Sequence, residues 1–487
     1  MPTAESEMKL SHLGNITGDR EKLLNTFKNH VEKQPDKLLY AWIEGNGSVK
    51  QEITYSEAWG HAERIAQNLM SIKGIKRGDR VVMCYAFSLD FIQAFIGCMI
   101  AGLVAVPIYP PNPSRLEYSI QKMTYVIENS NAKLALSHKE FTKNIWKLKL
   151  KLRKSKWPSI NFINTDKIRG EKVCETINEI KDEFVQPSVQ LPQLAFLQYT
   201  SGSTGDPKGV MISYSNLLHN LHLLKKSGDR KRHHGKRQIH PPHNTCCWLP
   251  QYHDLGLIAN YLLVFFSGGR GHFMSPVTFL KSPPLWMHSM WKYNCNVSFA
   301  PNFSFELVMR KWKRFRVPDG FSLKHVRYIG SGGESNLRET MEEFEKVMAQ
   351  YELEQYSITS CYGLAEHVVG VNGDPNITGR SYSKRDSRRV CCGVFDDLVT
   401  STLGIPHYEM SNANKKSCCF SKWGKIEANQ HSNASSLFGA NPGNRVGWRH
   451  TGDARGCKAF ECRRCHLRFA DASTLHMHEH WHGFAPV

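Results

Sequence analysis

A loop rich in glycine and hydroxyl side chains lies near the middle of the chain. It reads YTSGSTGDPKG, residues 199–209, and directly follows the strand-like sequence LAFLQ. Its glycines let backbone N–H groups approach an anion closely, and its lysine, Lys208, adds a positive charge. Hydroxyl donors come from Thr200, Ser201, Ser203 and Thr204. Amides, hydroxyls and one cation suit the phosphate groups of a nucleotide.

The loop is not a Walker A motif, because Pro207 stands where that motif has the glycine before its lysine. It resembles the phosphate-binding signature of the adenylate-forming superfamily, which includes acyl-CoA synthetases, luciferases and peptide-synthetase adenylation domains. Four further segments follow in the order and at the spacing of that superfamily: WLPQYHDLGLI (248–258), SFAPNFSFELVMRK (298–311), YIGSGGES (328–335) and CYGLAE (361–366). VPIYPPNPSRLE (106–117) and the form QYHDLGLI are similar to one subgroup, the fatty-acyl-AMP ligases. The resemblance covers residues 23–371.

The resemblance implies a role for each matching residue. The β- and γ-phosphates of ATP would be held by a set of loop residues: Thr200, Ser201, Gly202, Ser203, Thr204, Gly205 and Lys208. The adenine side of the pocket would consist of Gly332, Gly333, Glu334, Tyr362 and Gly363. Glu366 would hold Mg²⁺, a cation that prefers carboxylate and phosphate oxygens. His253 would lie beside the acyl carboxylate and the α-phosphate, where an imidazole donates to developing negative charge.

His253, Lys208 and Glu366 are thus the predicted catalytic residues. Taken singly, some of the matching residues also have ordinary explanations. Tyr362 would be a core aromatic residue, His253 a hydrogen-bonded residue at a strand end, and Glu366 a residue on a helix surface.

The implied reaction is attack of a carboxylate oxygen on the α-phosphorus of ATP, which gives an acyl-adenylate and pyrophosphate. Because such a site must bring two anions together, cations and amides dominate its chemistry. The substrate would be a fatty acid, with an acyl carrier protein or CoA as the later acceptor. An apolar channel for the acyl chain is expected along residues 258–266 and 299–308, although core packing explains both stretches equally well.

A second motif lies near the end of the chain, in FECRRCHLRFADASTLHMHEHWH (460–482). Two residues separate the cysteines, twelve separate the second cysteine from the first histidine, and three separate the histidines: Cys462, Cys465, His478 and His482. The segment resembles a Cys2His2 zinc finger, with Phe469 and Leu475 as its small core. His476 and His480 form a competing pair at a poorer spacing. The pattern predicts a bound Zn²⁺.

Zinc does not by itself imply DNA binding. The base-reading positions of the finger helix would be Asp471, Thr474 and Met477, and none is Arg, Asn or Gln. A single finger also buries little surface. We therefore do not expect nucleic acid to be the primary partner, and a structural plug or protein-binding knuckle is at least as good an interpretation.

The elements around these motifs indicate the fold class. Apolar helical stretches alternate with strands such as DRVVMCYAF, LVAVPIYP, AKLALS, QLAFLQYT, TCCWLPQ, NVSFAP and HVRYIGSGG. This alternation predicts an α/β fold of helix-covered sheets. We predict an N-terminal tail (1–22), an AMP-binding domain (23–373), a polar continuation that matches the family only in fragments (374–454), and a small ββα zinc-finger-like tail (455–487).

Composition excludes several classes of protein. The chain has 487 residues, of which 41% are hydrophobic and 22% charged, which is too large for a stapled miniprotein and too apolar for disorder. The sequence MPTAESEMKL lacks the features of a secretory signal, so we expect a cytoplasmic protein. The stretch 91–108 contains Gln93 and Pro107; it predicts a buried helix over 89–100 that turns at Gly102 into a strand over 103–108, not a membrane span.

Positive charge is concentrated in two places. The formal net charge is +19, and the runs 143–156 and 225–237 hold much of it. Such runs attract phosphates, nucleic acid or anionic lipid, so peripheral membrane contact is one interpretation. A solvated helix face for the first run and a polar loop for the second are the simpler ones.

The family pattern stops shortly after residue 450. HTGD (450–453) resembles the segment whose aspartate, here Asp453, binds the ribose hydroxyls, although a turn aspartate is the alternative. Family members continue into a mobile C-terminal domain with a late catalytic lysine. Beyond Asp453 the only lysine is Lys458, which is too early for that role, so we expect the mobile domain to be missing. Loss of that charge would lower turnover while ATP binding persists.

Three hypotheses follow from these patterns. The first is an acid ligase of the fatty-acyl-AMP ligase type that activates a fatty acid with ATP and Mg²⁺. The second is a non-catalytic module that binds ATP or an acyl-adenylate. The third is a zinc-finger protein that binds nucleic acid or protein and is built on an enzyme remnant.

Overall fold

The computed structural model describes residues 18–152, 156–168, 193–200, 207–228, 242–334, 336–355, 357–370, 448–452, 458–462 and 468–469. The chain divides into two units, 1–392 with 480–487 and 393–479. The described elements of the first unit alternate between strands and helices, as the sequence predicted.

The described strands of the first unit form two sheets, and each sheet ends in an antiparallel edge strand. The six-stranded sheet contains, in spatial order, Phe162–Asn164 (β6), Leu134–Ser137 (β5), Arg80–Cys84 (β3), Val104–Ile108 (β4), Leu194–Thr200 (β7) and Lys208–Ser213 (β8). The seven-stranded sheet contains Ile358–Ser360 (β13), Tyr328–Ser331 (β12), Val297–Ala300 (β11), Asn244–Cys247 (β9), Arg270–Phe273 (β10), Leu38–Ile43 (β1) and Val49–Thr54 (β2). Neighbouring strands are parallel except for β7–β8 and β1–β2.

Helices connect these strands, which fits crossover connections between parallel neighbours. They are Gly18–Lys33 (α1), Tyr55–Met70 (α2), Asp90–Ala101 (α3), Leu116–Ser130 (α4), Lys139–Lys151 (α5), Tyr214–Gly228 (α6), Asp254–Gly256 (α7), Leu263–Ser267 (α8), Pro276–Lys281 (α9), Pro284–Lys292 (α10), Phe303–Trp312 (α11) and Arg338–Ala349 (α12). A π-helical segment, Leu257–Leu262, joins α7 to α8, and short 3₁₀ turns occupy Pro113–Arg115, Thr165–Lys167 and Ala365–His367. Helix α1 begins before residue 23, where the sequence suggested that the domain starts.

The apolar stretch predicted as a buried helix and strand has that structure. Helix α3 is buried almost throughout, and Gly102 ends it in the left-handed region at φ 72° before β4 begins. A Cβ on Gly97 would lie 2.9 Å from Ile65 Cγ2, so this glycine permits the close packing of α3 on α2. Among the described helices, none combines the length and the apolar composition that crossing a bilayer requires.

One face of the six-stranded sheet is covered by α4 and α5. Alternate strand residues such as Val82, Val106 and Leu197 join α4 residues such as Ile120 in one buried cluster. Phe141 and Leu148 of α5, and Leu152 directly after it, pack against the same cluster. The inner face of α5 therefore anchors it to the sheet.

The described part of the second unit is a small antiparallel sheet. Its strands are Trp448–Gly452 (β14), Lys458–Cys462 (β15) and Arg468–Phe469 (β16), with Gly452 opposite Lys458 and Phe460 opposite Phe469. Strands β15 and β16 pair where the sequence predicts the two strands of a ββα zinc finger. The predicted finger helix lies outside the described residues, so the finger remains a prediction.

Candidate active site at the strand ends

Four adjacent parallel strands of the seven-stranded sheet end at one edge, and sequence motifs follow each of them. The strands are β9, β11, β12 and β13. Segments 248–253, 301–303, 332–334 and 361–363 continue directly from their carboxyl ends. Ligands of open α/β sheets bind in the crevice at such ends. The fold thus brings together motifs that are far apart in the sequence.

Two glycines form a tight turn after β12. Gly332 N donates to Ala300 O at 3.2 Å, and a Cβ on Gly332 would lie 3.0 Å from Cys361 O. Gly333 adopts φ 85°, which strains any other residue, and a Cβ there would lie 3.9 Å from Leu255 Cδ2. The turn after β12 therefore lies close to the segments that follow β13 and β9, and of its two glycines Gly333 is exposed while Gly332 is buried.

Glu334 holds the neighbouring turn in place. Its Oε1 accepts a hydrogen bond from Phe303 N at 2.6 Å, at the first residue of α11. A carboxylate at a helix N-terminus is favourable because the helix dipole is positive there. The residue predicted to border adenine thus also fixes the start of α11.

Tyr362 and Gly363 follow β13 at the same edge. Tyr362 is 44% exposed, so it is not a core aromatic residue. A Cβ on Gly363 would lie 1.6 Å from Val369 O, so only glycine permits the return of the chain at 369. Asn220 of α6 secures this return, because its Nδ2 donates to His367 O at 3.2 Å and Gly370 O at 3.1 Å. The backbone of Glu366 lies in the 3₁₀ turn that these contacts hold.

His253 occupies the N-cap position of α7 in the segment after β9, and its side chain contacts that of the next residue. Its Nδ1 lies 2.7 Å from Asp254 Oδ1, which also accepts from Leu255 N at 2.5 Å. Burial favours the neutral imidazole, but the charge and hydrogen bond of Asp254 outweigh burial and raise the pKa of His253 above its ordinary value. With Nδ1 held by the carboxylate, Nε2 is the nitrogen that remains for a ligand.

The phosphate-loop prediction falls on the β7–β8 hairpin of the other sheet. Thr200 ends β7 and pairs in register with Lys208, the first residue of β8, whose side chain is exposed. Gly209 lies against the Tyr199 ring, where a Cβ would be 2.9 Å from Tyr199 Cζ. The intervening residues Ser201, Gly202, Ser203, Thr204 and Gly205 lie outside the described residues.

Two buried glutamines connect the turn that carries His253 to the six-stranded sheet, one through this hairpin and one through the segment after β3. Gln198 of β7 is 5% exposed, and its Nε2 donates to Tyr252 O at 3.0 Å. Gln251 donates from Nε2 to Ala86 O at 3.0 Å and accepts at Oε1 from Ser88 N at 3.1 Å. Neither side chain is among the predicted site residues. The available signals were a polar residue, Gln198, at the end of the apolar sequence LAFLQ and the position of Gln251 in the motif QYHDLGLI.

Several other predicted site residues lie outside the described residues. Asp453, Cys465, His478 and His482 fall outside the described residues, and Cys462 is described only as the last residue of β15. Within the described residues, no group of three His, Cys, Asp or Glu side chains is placed to hold a metal ion. The zinc ligands and the ribose-binding aspartate therefore remain predictions.

The two stretches proposed for the acyl channel lie in the protein core. The ring of Tyr261 stacks on Phe273 with centroids 3.7 Å apart, and Phe305 meets Phe344 at 5.0 Å. Every residue from 258 to 266 is buried. Core packing therefore accounts for both stretches, and a channel along them remains a prediction.

Two sheets whose strand ends carry these motifs define a domain of the adenylate-forming type. A sequence model described as AMP-binding enzyme matches residues 27–394, and the chain belongs to this family. The chain is 27% identical over 354 residues to JamA, a medium-chain-fatty-acid–[acyl-carrier-protein] ligase of Moorena producens, covering 72% of this chain and 56% of that protein. It is 29% identical over 355 residues to FadD21, a putative fatty-acid–CoA ligase of Mycobacterium tuberculosis, covering 72% and 57%.

A solved structure is similar over the same portion of the chain. The fatty acyl-adenylate ligase from L. pneumophila, in complex with acyl adenylate and pyrophosphate, aligns with a TM-score of 0.59 and 31% identity. The alignment covers 72% of this chain and 56% of that one. The chain thus spans a little over half the length of these relatives.

Proposed function

We propose that this chain binds MgATP beside a fatty acid and joins them into an acyl-adenylate, with release of pyrophosphate. The observation that carries the proposal is the convergence of the Gly332–Gly333 turn, Tyr362 and His253 at one sheet edge. This edge is linked to the β7–β8 hairpin through Gln198. The relatives named as fatty-acid ligases support the substrate class.

The described residues fit a nucleotide. The Gly332–Gly333 turn has no side chain to block a close ligand, and Tyr362 offers an exposed ring beside it. Lys208 and Thr200 face each other at the base of the predicted phosphate loop. Mg²⁺ would neutralise phosphate charge, and Glu366 is the carboxylate proposed to hold it.

Each protein group has a task in the proposed reaction. The Lys208 ammonium attracts the β- and γ-phosphates and stabilises the charge that develops on departing pyrophosphate. His253 donates from Nε2 toward the α-phosphate or the acyl carboxylate, and Asp254 favours the protonated imidazole by raising its pKa. Gln198 and Gln251 keep the His253 turn at a fixed position relative to the hairpin, because reacting groups must be aligned closely. The later acceptor is proposed to be an acyl carrier protein or CoA.

We also propose that Cys462, Cys465, His478 and His482 bind one Zn²⁺ in the second unit. The ligand spacing carries this proposal, and it is supported by the antiparallel pairing of β15, which ends at Cys462, with β16.

Two measurements on the full chain test the adenylation proposal. Calorimetry should detect MgATP binding, and Lys208→Ala should weaken it by about 10- to 100-fold, since a charge-assisted hydrogen bond is worth about 1.5–3 kcal/mol. Lys133→Ala, which removes an exposed lysine of the same domain, is the matched control and should leave affinity unchanged. Fatty-acid-dependent exchange of labelled pyrophosphate into ATP should then occur and fall in His253→Ala.

The results separate the alternatives. MgATP binding without any exchange would reject acid activation and favour the binding module. If neither binding nor exchange is found in well-folded protein, the nucleotide site itself is wrong.

A further inference from the structure

Helix α5 carries a concentration of positive charge that the proposed reaction does not use. The run 143–156 contains seven lysine and arginine residues and no aspartate or glutamate. Glu140, in the first turn, is the only carboxylate of the helix. The side chains of Lys143, Lys147, Lys149 and Lys151 are exposed.

An apolar side chain lies within this positive surface. Leu150 is 75% exposed, which makes it the most exposed large hydrophobic side chain among the described residues. Its neighbours Leu148 and Leu152 pack inward against the buried cluster of the six-stranded sheet. The inner face of α5 is therefore packed against the sheet, and Leu150 lies on the outer face.

Helical geometry places the lysines around Leu150. At 3.6 residues per turn, Lys143, Lys147 and then Leu150 with Lys151 follow one another along the same side of the helix. Lys149 extends to the flank, where its Nζ lies 5.9 Å from the centre of the Trp157 ring. The outer face of α5 thus presents Leu150 bordered by lysines. The inner face of the same helix packs against the six-stranded sheet.

We propose that the outer face of α5 binds the surface of an anionic lipid bilayer. Lysine ammonium groups attract anionic headgroups, while their alkyl stems and Leu150 enter the boundary between headgroups and acyl chains. A nucleic-acid backbone would use the charges but would leave Leu150 in water, so the pattern favours lipid. The proposal does not depend on the adenylation proposal, since it concerns a different surface.

Vesicle binding of the full chain tests this surface. The probes are vesicles of phosphatidylcholine alone and of phosphatidylcholine with about one third phosphatidylglycerol, assayed by co-sedimentation at low and at physiological salt. Each lysine near an anionic surface contributes about a fivefold factor to partitioning. The triple variant Lys143→Gln, Lys147→Gln, Lys151→Gln should therefore bind the anionic vesicles about 100-fold more weakly. Leu150→Ser should weaken binding several-fold with no change in charge.

The matched control removes the same number of charges elsewhere. Lys22, Lys28 and Lys33 are exposed on α1, where Asp19, Glu21 and Glu32 give a mixed surface. Their triple change to glutamine should leave vesicle binding within about twofold. All variants should keep the melting temperature of the unaltered chain, because every substituted side chain is exposed.

Several results would overturn the proposal. They are equal binding to neutral and anionic vesicles, no binding at all, and an α5 triple variant that binds like the unaltered chain. If the α5 triple variant binds like the unaltered chain, another basic segment such as 225–237 would be the one that binds the vesicles. Tighter binding to a 24-base-pair DNA duplex than to vesicles, lost in the same triple variant, would assign the surface to nucleic acid instead.

Discussion

At the scale of single residues, the most informative contact joins two neighbours in the chain. The side chains of His253 and Asp254 are in contact at 2.7 Å, and the carboxylate raises the pKa of this histidine at the sheet edge. The folded state therefore holds this proton more tightly than an unfolded chain does. The pair stabilises the fold below the ordinary histidine pKa of 6.5, and this contribution is lost as pH rises through the raised value.

Replacing Asp254 should change the pH range in which His253 is charged. In Asp254→Asn the carboxylate charge is gone and burial alone acts, so the pKa of His253 should fall below that in the unaltered protein. NMR titration of the His253 imidazole should show the lower midpoint. If exchange activity is present, its decline with rising pH should begin at lower pH.

The control for this substitution is Asp319→Asn, at an exposed residue outside the site. It should leave the His253 midpoint where it is. An unchanged midpoint in Asp254→Asn would show that the neighbouring carboxylate does not hold the proton.

At the scale of elements, the turn after β9 is connected to both sheets. Its backbone continues β9, while Gln198 reaches it from β7 and Gln251 ties it to the segment after β3. Neither glutamine needs to touch a substrate to affect the reaction. Both would act by fixing where His253 lies relative to the phosphate hairpin.

Removing one of these connections should weaken the fold and misplace the turn. Gln198→Leu deletes the donor to Tyr252 O and leaves a buried carbonyl without that partner, which costs about 1–3 kcal/mol in the free energy of unfolding. Urea denaturation measures this loss. In exchange assays kcat should fall more than affinity for MgATP, because alignment is affected and the phosphate contacts are not.

Gln350→Leu is the matched control, since it removes an exposed bond from Gln350 Nε2 to Val347 O of 2.9 Å. Its effect on the free energy of unfolding should be within about 0.5 kcal/mol. Equal losses in the free energy of unfolding would mean that the buried Gln198 bond stabilises the fold no more than an exposed bond does. A Gln198→Leu protein with lower stability and unchanged kcat would limit Gln198 to folding.

Much of this architecture could be predicted from local sequence. The apolar strands and the Gly102 turn were predicted because hydrophobic period and glycine conformation act over a few residues. The division into two sheets could not be predicted, since strand order depends on pairing between distant segments. The same reason explains the site: glycine motifs were found, but Gln198 bonds to a residue 54 positions away and Gln251 to one 165 positions away.

At the scale of the whole molecule, the second unit should depend on a metal if the finger prediction is right. A small sheet of short strands buries too little surface to be stable alone, and a structural Zn²⁺ supplies folding free energy directly. Purified chain should contain about one Zn²⁺ per molecule by mass spectrometry, and Cys465→Ser or His478→Asn should remove it. Substituted Co²⁺ should show the absorption of a tetrahedral thiolate site.

Two substitutions outside the ligand spacing serve as controls for the metal experiment. Cys457→Ser and His480→Asn should retain the metal, because neither residue belongs to the predicted set. Loss of zinc in His480→Asn with retention in His478→Asn would favour the competing histidine pair. Protein that contains no zinc after purification without chelators would contradict the finger.

The antiparallel pairing of β14 with β15 bears on how this protein can be divided for expression. Five residue pairs, from Trp448 opposite Cys462 to Gly452 opposite Lys458, join segments on either side of position 454. A cloning boundary placed there would give two polypeptides, each with an open strand edge that invites association with other chains. A fragment that starts before residue 448 would keep both halves of the hairpin in one product.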